Sequence, residues 1–179
     1  MIDFGYGVTL GRLNKHHIDL TYEWRNHYRE VWKWCRQHDA LEPIKHEKWF
    51  EKIAMDPTIE MYGIFDGELI GVCGLTDIDR LAQRAEFSLY IAPEHQGKGF
   101  AQPSLTTLFS HGFMNHNLNL IWGETFDDNH AHEIFLKIGM KHEGTRRQFY
   151  FKEGKYIDAH LISMTRQEFE ETPWKQSQL

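Results

Sequence analysis

The sequence predicts an α/β fold, of the kind also written α+β, in which a mixed, largely antiparallel sheet is flanked by helices. Three observations predict it. Short β-rich runs alternate with amphipathic helical stretches along the whole chain. Two tight-turn signals, Asp66-Gly67 and Glu153-Gly154, each join neighbouring apolar runs into a hairpin. No repeat of 20 to 50 residues and no low-complexity linker divides the chain, so its 179 residues read as a single domain, 1–179.

The elements follow in order. Val8-Thr9-Leu10-Gly11-Arg12-Leu13 is a first strand. Leu20, Trp24, Tyr28 and Val31 recur at spacings of three and four, the signature of one amphipathic helix. A second helix follows Pro43, carries Ile44, Trp49, Phe50 and Ile53 as its apolar face, and stops before Asp56-Pro57. Met61 to Phe65 and Glu68 to Leu75 form a hairpin, its Asp-Gly pair supplying the positive φ angles of a two-residue turn. Ala85 to Ile91 is a fourth strand, ended by Pro93. A helix spans Gly99 to about Asn115 with Leu105, Leu108 and Phe109 on one side, and Pro103 must lie in its first turn, which sets the start near Phe100 or Ala101. Leu120 to Phe126 is a fifth strand. Asn129 is placed to N-cap a short helix bearing Ile134, Phe135 and Ile138, closed by Gly139. A last hairpin runs through Thr145–Lys152 and returns through Lys155–Thr165, and residues 173–179 read as a frayed tail.

Composition narrows the function. Hydrophobic residues make up 41% and aromatics 14%, enough for a core in a domain that buries roughly 70% of its unfolded surface. With 20 Lys and Arg against 26 Asp and Glu and a pI near 6.0, the basic stripe of a nucleic-acid binder is missing, so no nucleic-acid partner is expected. No apolar run approaches the roughly 20 residues of a membrane span, so no membrane partner is expected either. The N-terminus has neither a basic flank nor an apolar signal core, and Cys35 and Cys73 form no C-x-x-C pair. The chain reads as a soluble cytoplasmic protein, and a homodimer is compatible with it. Its 12 histidines show no recognisable zinc spacing, and no metal site is expected.

The most informative segment is RAEFSLYIAPEHQGKGFA, Arg84 to Ala101. A strand leads through Gln96-Gly97-Lys98-Gly99-Phe100-Ala101 into a helix. Two glycines permit close backbone approach, and a helix start offers unpaired N–H groups at the positive end of the dipole, so the segment can cradle a phosphate or pyrophosphate. An ordinary tight turn into a helix uses the same residues.

This segment resembles the acetyl-CoA signature of the GNAT superfamily of N-acetyltransferases, Q/R-x-x-G-x-G/A, met here by Gln96, Gly97, Gly99 and Ala101. Its wording is similar to that of bacterial spermidine N-acetyltransferases. Asn129, Phe135, Lys137, Gly139 and Met140 match the family's second block, and the match runs from about 61 to 165. The first 58 residues differ. Trp24-Arg25-Asn26-His27, Trp32, Trp34, Pro43-Ile44, His46 and Trp49-Phe50 are similar to enzymes that acetylate nucleotide-linked amino sugars, and loosely to ribosomal-protein N-terminal acetyltransferases.

The resemblance implies central strands that splay apart around the pantetheine arm of acetyl-CoA, the acyl donor. Its amides would meet Leu89, Tyr90 and Ile91, and its pyrophosphate the backbone from Gln96 to Ala101, with Asn129 and Lys137 contributing from the second block. Lys98 either adds charge or faces solvent. Glu86 is the candidate base, against the alternative of a surface carboxylate paired with Arg84. Phe135 stands where many family members carry an acid tyrosine, leaving Tyr150, Tyr90 or unaided loss of thiolate. The acceptor implied is a primary amine of a small molecule, an amino sugar or a polyamine. A protein N-terminus or lysine, and a non-catalytic acyl-CoA-binding module, are the alternatives. The mixture of Trp with Arg25, Lys33, Arg36 and Lys45 over Leu20 to Phe50 suits a sugar face or a phosphate better than a polyamine.

Overall fold

The computed structural model describes residues 1–37 and 39–176. Seven strands form one sheet: β1 (Thr9–Arg12), β2 (Glu60–Asp66), β3 (Glu68–Asp79), β4 (Arg84–Ile91), β5 (Leu120–Phe126), β6 (Lys141–Lys152) and β7 (Lys155–Thr165), in the order β1-β2-β3-β4-β5-β7-β6. The β4–β5 pair is parallel and the other neighbours are antiparallel. The helices are α1 (Lys15–His27), α2 (Arg29–Trp32), α3 (Pro43–Met55), α4 (Ala101–Ser110), α5 (Ala131–Ile138), α6 (Arg166–Glu170) and α7 (Pro173–Gln176).

Strand alternation divides the core in two. On one face α4 and α5 cover the sheet, and Leu105, Leu108 and Phe109 of α4 meet Leu75, Phe87, Ile121 and Met164. On the other face Leu13, Trp24 and Val31 pack on Leu69, Val72 and Ala92. Each fully buried Leu, Ile or Phe contributes about 1.5–3 kcal/mol, so the face under α4 is the more heavily anchored.

Several sequence expectations need correction. The predicted helix through Leu20 and Val31 is two helices, because Tyr28 is extended at φ −113, ψ 106. That break lets Trp24 and Val31 enter one apolar cluster, while Leu20 and Tyr28 are 39% and 42% exposed. The face of α1 that is buried is Ile18, Thr21 and Trp24. Ile44 on α3 is exposed, and His46 takes its place inside, bonded to the Thr21 hydroxyl at 3.0 Å. In the β2–β3 turn only Gly67 has a positive φ, 74°, and a bulge at Ile64/Phe65 absorbs the register instead of a left-handed Asp66. The second hairpin turns as expected, through Glu153 (φ 48) and Gly154 (φ 78). Of the predicted frayed tail, 173–176 form the turn α7, and 177–179 lie outside the described residues.

Candidate active site

β4 positions the site. Against β3 it pairs from Thr76↔Glu86 to Gly71↔Ile91. Against β5 it pairs only over Arg84↔Leu120, Ala85↔Ile121 and Glu86↔Trp122, and from Phe87 onward the two strands diverge. Just past the last pair the Phe87 ring lies over Gly123, where an added Cβ would come within 2.5 Å of it. Phe87 also meets Phe135 of α5 edge to face, ring centroids 5.1 Å apart, so aromatic packing fills the base of the wedge.

The open edge carries unpaired backbone groups. Ala92 N donates to Ile70 O on the β3 side. Alternation turns the N–H and C=O of Tyr90 to β3 as well and leaves those of Leu89 and Ile91 on the open edge. The expectation that Tyr90 offers its backbone there is therefore corrected: what Tyr90 brings to the cleft is its side chain. Its hydroxyl is buried, makes no ordinary hydrogen bond and interacts weakly with Thr21, and burial raises its pKa. Gln96 Nε2 donates to Ile91 O at 3.0 Å, closing the far end of the edge.

The loop beyond holds Gly97 and Gly99 at φ 73 and 86, with no atom within 4 Å of a Cβ built on either. Conformation, not crowding within the chain, requires glycine there. Phe100 is the N-cap of α4, and no side chain caps it. Lys98 is exposed, and Gln96 to Ala101 lie outside the cleft proper, beyond its end.

The cleft itself has a volume of about 400 Å³. Its floor is charged. Glu86 is 6% exposed and is gripped by Arg36, whose Nη1 donates to Oε2 at 3.2 Å and whose Nη2 donates to Oε1. Arg36 reaches Glu124 too, through Nε at 2.9 Å. Glu124 further accepts from Arg146 Nη1 at 3.3 Å and from the Tyr150 hydroxyl. Burial opposes the charge of Arg36, but its hydrogen bonds to Glu86 and the two carboxylate charges outweigh that and raise its pKa. Burial, then the bond to Glu124, pushes Tyr150 up to about 12. Arg84 pairs with Asp79 at 3.8 Å, so the reading of Glu86 as a surface carboxylate paired with Arg84 is overturned.

The walls come from both halves of the chain. Trp34 and Trp49 line the cleft, whereas Trp24 is core. Trp49 stacks on His46, centroids 5.2 Å apart. Asn129 and Phe135 line the opposite wall. Asn129 precedes the N-cap, which is His130, and its Oδ1 accepts from Ala131 N at 3.0 Å. Lys137 is exposed and does not line the cleft, because the inward face of α5 is Phe135 and Ile138. Glu124, Arg36 and Lys152 were not singled out together by the sequence. Lys152 is buried, its pKa lowered by burial, and its Nζ donates to the carbonyls of Trp32 (3.2 Å), Lys33 (2.8 Å) and Cys35.

The geometry has counterparts. The acetyltransferase (GNAT) domain model matches residues 8–141. The uncharacterised N-acetyltransferase YoaA of Bacillus subtilis is 34% identical over 100 residues, covering 55% of this chain and 56% of its own. The spermidine N(1)-acetyltransferase of Escherichia coli K12 is 35% identical over 95 residues, covering 52% and 51%. These matches span about half the length of those relatives. The Vibrio cholerae spermidine N-acetyltransferase, solved with CoA and spermine, superposes with TM-score 0.85 at 25% identity, over 91% of this chain and 98% of that one. The splayed mixed sheet is thus a shared fold. Among the described residues no helix is long and apolar enough to cross a membrane.

Proposed function

The chain belongs to the GNAT acetyltransferase family, and on that premise we propose that it transfers an acetyl group from acetyl-CoA to a primary amine of a small molecule. The observation that carries the reading is the open edge of β4 ending at a buried carboxylate, Glu86. An extended, amide-bearing arm fits an unpaired strand edge, and the backbone of Leu89 with the N–H of Ile91 offers the groups to bind it, Ile91 O being taken by Gln96. Gly97, Gly99 and the uncapped start of α4 suit its pyrophosphate. Bound there, acetyl-CoA supplies the acetyl group as an activated thioester.

The chain's own residues handle the proton. An alkyl ammonium has a pKa near 10, as lysine does, and must be deprotonated before it attacks. Glu86 takes that proton, directly or through a water. An open-edge N–H of β4 meets the charge that develops on the thioester oxygen. Phe135 has no proton to give, and Tyr150 is held by Glu124. The Tyr90 hydroxyl is buried with its pKa raised, so the sulfur would depart as thiolate, which a thiol pKa near 8.5 makes a tolerable leaving group.

For the acceptor, the ammonium takes the place between Glu86 and Glu124 that the Arg36 guanidinium holds, and Arg36, its side chain 50% exposed, turns outward. Arg36 and Arg146 balance the two carboxylates, and Trp34 and Trp49 offer ring faces, which favours an amino sugar or nucleotide-linked amine over a polycation. The polyamine reading is favoured by the spermidine acetyltransferase relatives and by the carboxylate pair itself.

An amine panel with a free-thiol readout tests the activity. Glu86→Gln should slow it by roughly 10²–10⁴ with CoA affinity nearly unchanged. The deficit should shrink at high pH, where more acceptor is already neutral. Wild-type rates in Glu86→Gln at pH 7 would remove Glu86 from the reaction. A higher kcat/KM for spermidine than for an amino sugar would reverse the acceptor preference.

A further inference from the structure

A second cluster of chemistry-bearing side chains lies across the sheet from the cleft, where β2 meets the end of α4. Strand alternation puts Met61 on the cleft side and turns Tyr62 into the core under α4, with Glu60 on that same side. After Ser110 the helix widens into a π turn, His111–Asn115, in which His116 N donates to His111 O at 3.3 Å, an i→i+5 bond. In a regular α-helix, residues five apart point about 140° away from each other. The extra residue brings His111 and His116 to one side, their rings edge to face with centroids 4.6 Å apart.

Three ligand-type atoms converge there. His111 Nε2 and His116 Nε2 are 3.0 Å apart. Glu60 Oε2 lies 2.9 Å from the His116 Nε2 and 3.4 Å from the His111 Nε2. The three side chains are only 11%, 14% and 16% exposed. A tetrahedral ion with bonds of about 2.0–2.1 Å has ligand–ligand edges of about 3.3 Å, close to all three separations. The Tyr62 hydroxyl also lies 3.1 Å from His111 Nε2, so the side chains can bond to one another, and the two imidazole nitrogens and one carboxylate oxygen stand at the mutual spacing of a coordination shell.

The surroundings fit the same use. The Tyr62 hydroxyl donates to Glu60 Oε2 at 2.6 Å, orienting the carboxylate. The Asn115 carboxamide lies 2.9 Å from His111 Nδ1. Turned with its oxygen inward, it would accept the Nδ1 proton and leave the Nε2 lone pair for a metal.

We propose that Glu60, His111 and His116 form a divalent-metal site of the two-histidine, one-carboxylate kind, with Zn2+ as its occupant and water in the fourth position. Calcium and magnesium call for six or more oxygens, whereas imidazole with carboxylate suits a first-row ion. The ion ties β2 to the C-terminal end of the helix whose start carries the Gly97–Gly99 loop. The site does not depend on the acetyl-transfer reading.

The test uses untagged full-length protein stripped with EDTA and titrated calorimetrically with Zn2+, with metal content measured after desalting. One zinc per chain is expected, with Tm raised by about 5–10 °C at a hundredfold excess over Kd. Glu60→Gln and His116→Gln should each weaken binding at least about 100-fold, since even losses outside the ligand set cost about 10–100-fold. His142→Ala, in the His132, His142 and His160 trio whose ring centroids lie 4.9–5.5 Å apart, should leave it intact. Cobalt(II) on the wild type should give the visible absorption of a four-coordinate ion, bleached by zinc, a readout independent of any variant's folding. A wild type that retains no zinc, binding that survives both Glu60→Gln and His116→Gln, or binding lost in His142→Ala would each overturn the site.

Discussion

Arg36 grips two carboxylates, Glu86 and Glu124, that would otherwise face each other across the mouth of the diverging strands. A guanidinium in that position imitates a protonated amine and competes with one. Removing it frees both acceptors, and charge-assisted hydrogen bonds of this kind contribute about 1.5–3 kcal/mol each. Arg36→Met should therefore lower the KM for spermidine by about tenfold, with a smaller effect on a neutral-bodied amino sugar. Steady-state kinetics on the two acceptors decides it. A KM that rises for both would assign Arg36 to acceptor binding instead. The stability cost is limited, because the Arg36 side chain is half exposed and water can reach the carboxylates once it is gone.

The strand–loop–helix unit from β4 to α4 works through backbone conformation. Gly99 sits at φ 86 with free space where a Cβ would point, so a side chain there strains the loop without crowding the core. Gly99→Val should cost about 1–2 kcal/mol of stability from the left-handed conformation. It should also abolish the thermal shift given by CoA while circular dichroism still reports a folded protein. A retained CoA shift would move the pyrophosphate site elsewhere. This unit was legible because its signals are local: a β-rich run, Pro93, a glycine pair, then Pro103 in a first turn. β5 and the Glu153-Gly154 hairpin were legible for the same reason. The break at Tyr28 was not, since a spacing of three and four looks the same whether or not the helix continues through it. The partners of Glu86 were not legible either. Arg36 is 50 residues away, and only the fold brings it near. The Glu60, His111 and His116 cluster needs both a pairing 51 residues long and a π turn that no residue type announces.

Over the whole molecule, the acceptor cover is fastened by the last hairpin. Lys152 on β6 donates to the carbonyls of Trp32, Lys33 and Cys35, 117 to 120 residues earlier in the chain. Trp32 O ends α2 and also accepts from Cys35 N at 3.1 Å, the other two carbonyls lie in the turn that follows, and the buried ammonium gathers all three. The segment so held leads directly to Trp34 and Arg36 at the cleft. An exposed pair, Arg29 with Glu153 at 2.8 Å, adds a second strap beside it, of little energetic weight. The donor half of the site rests mainly on the core of the other face, where Ala85, Phe87, Ile91 and Leu105 are buried, and packs against the cover through Tyr90 and Ala92. Lys152→Met keeps the aliphatic stem and removes the donors. It should raise the KM for the acceptor by about tenfold or more, since each lost hydrogen bond to a charged group costs about 1.5–3 kcal/mol, while Kd for CoA stays within about twofold. Lys152→Arg, which keeps the charge, should recover part of the loss. Equal weakening of CoA and acceptor would instead mean that Lys152 supports the sheet as a whole, and the division of the molecule into a rigid donor half and a fastened acceptor cover would fail.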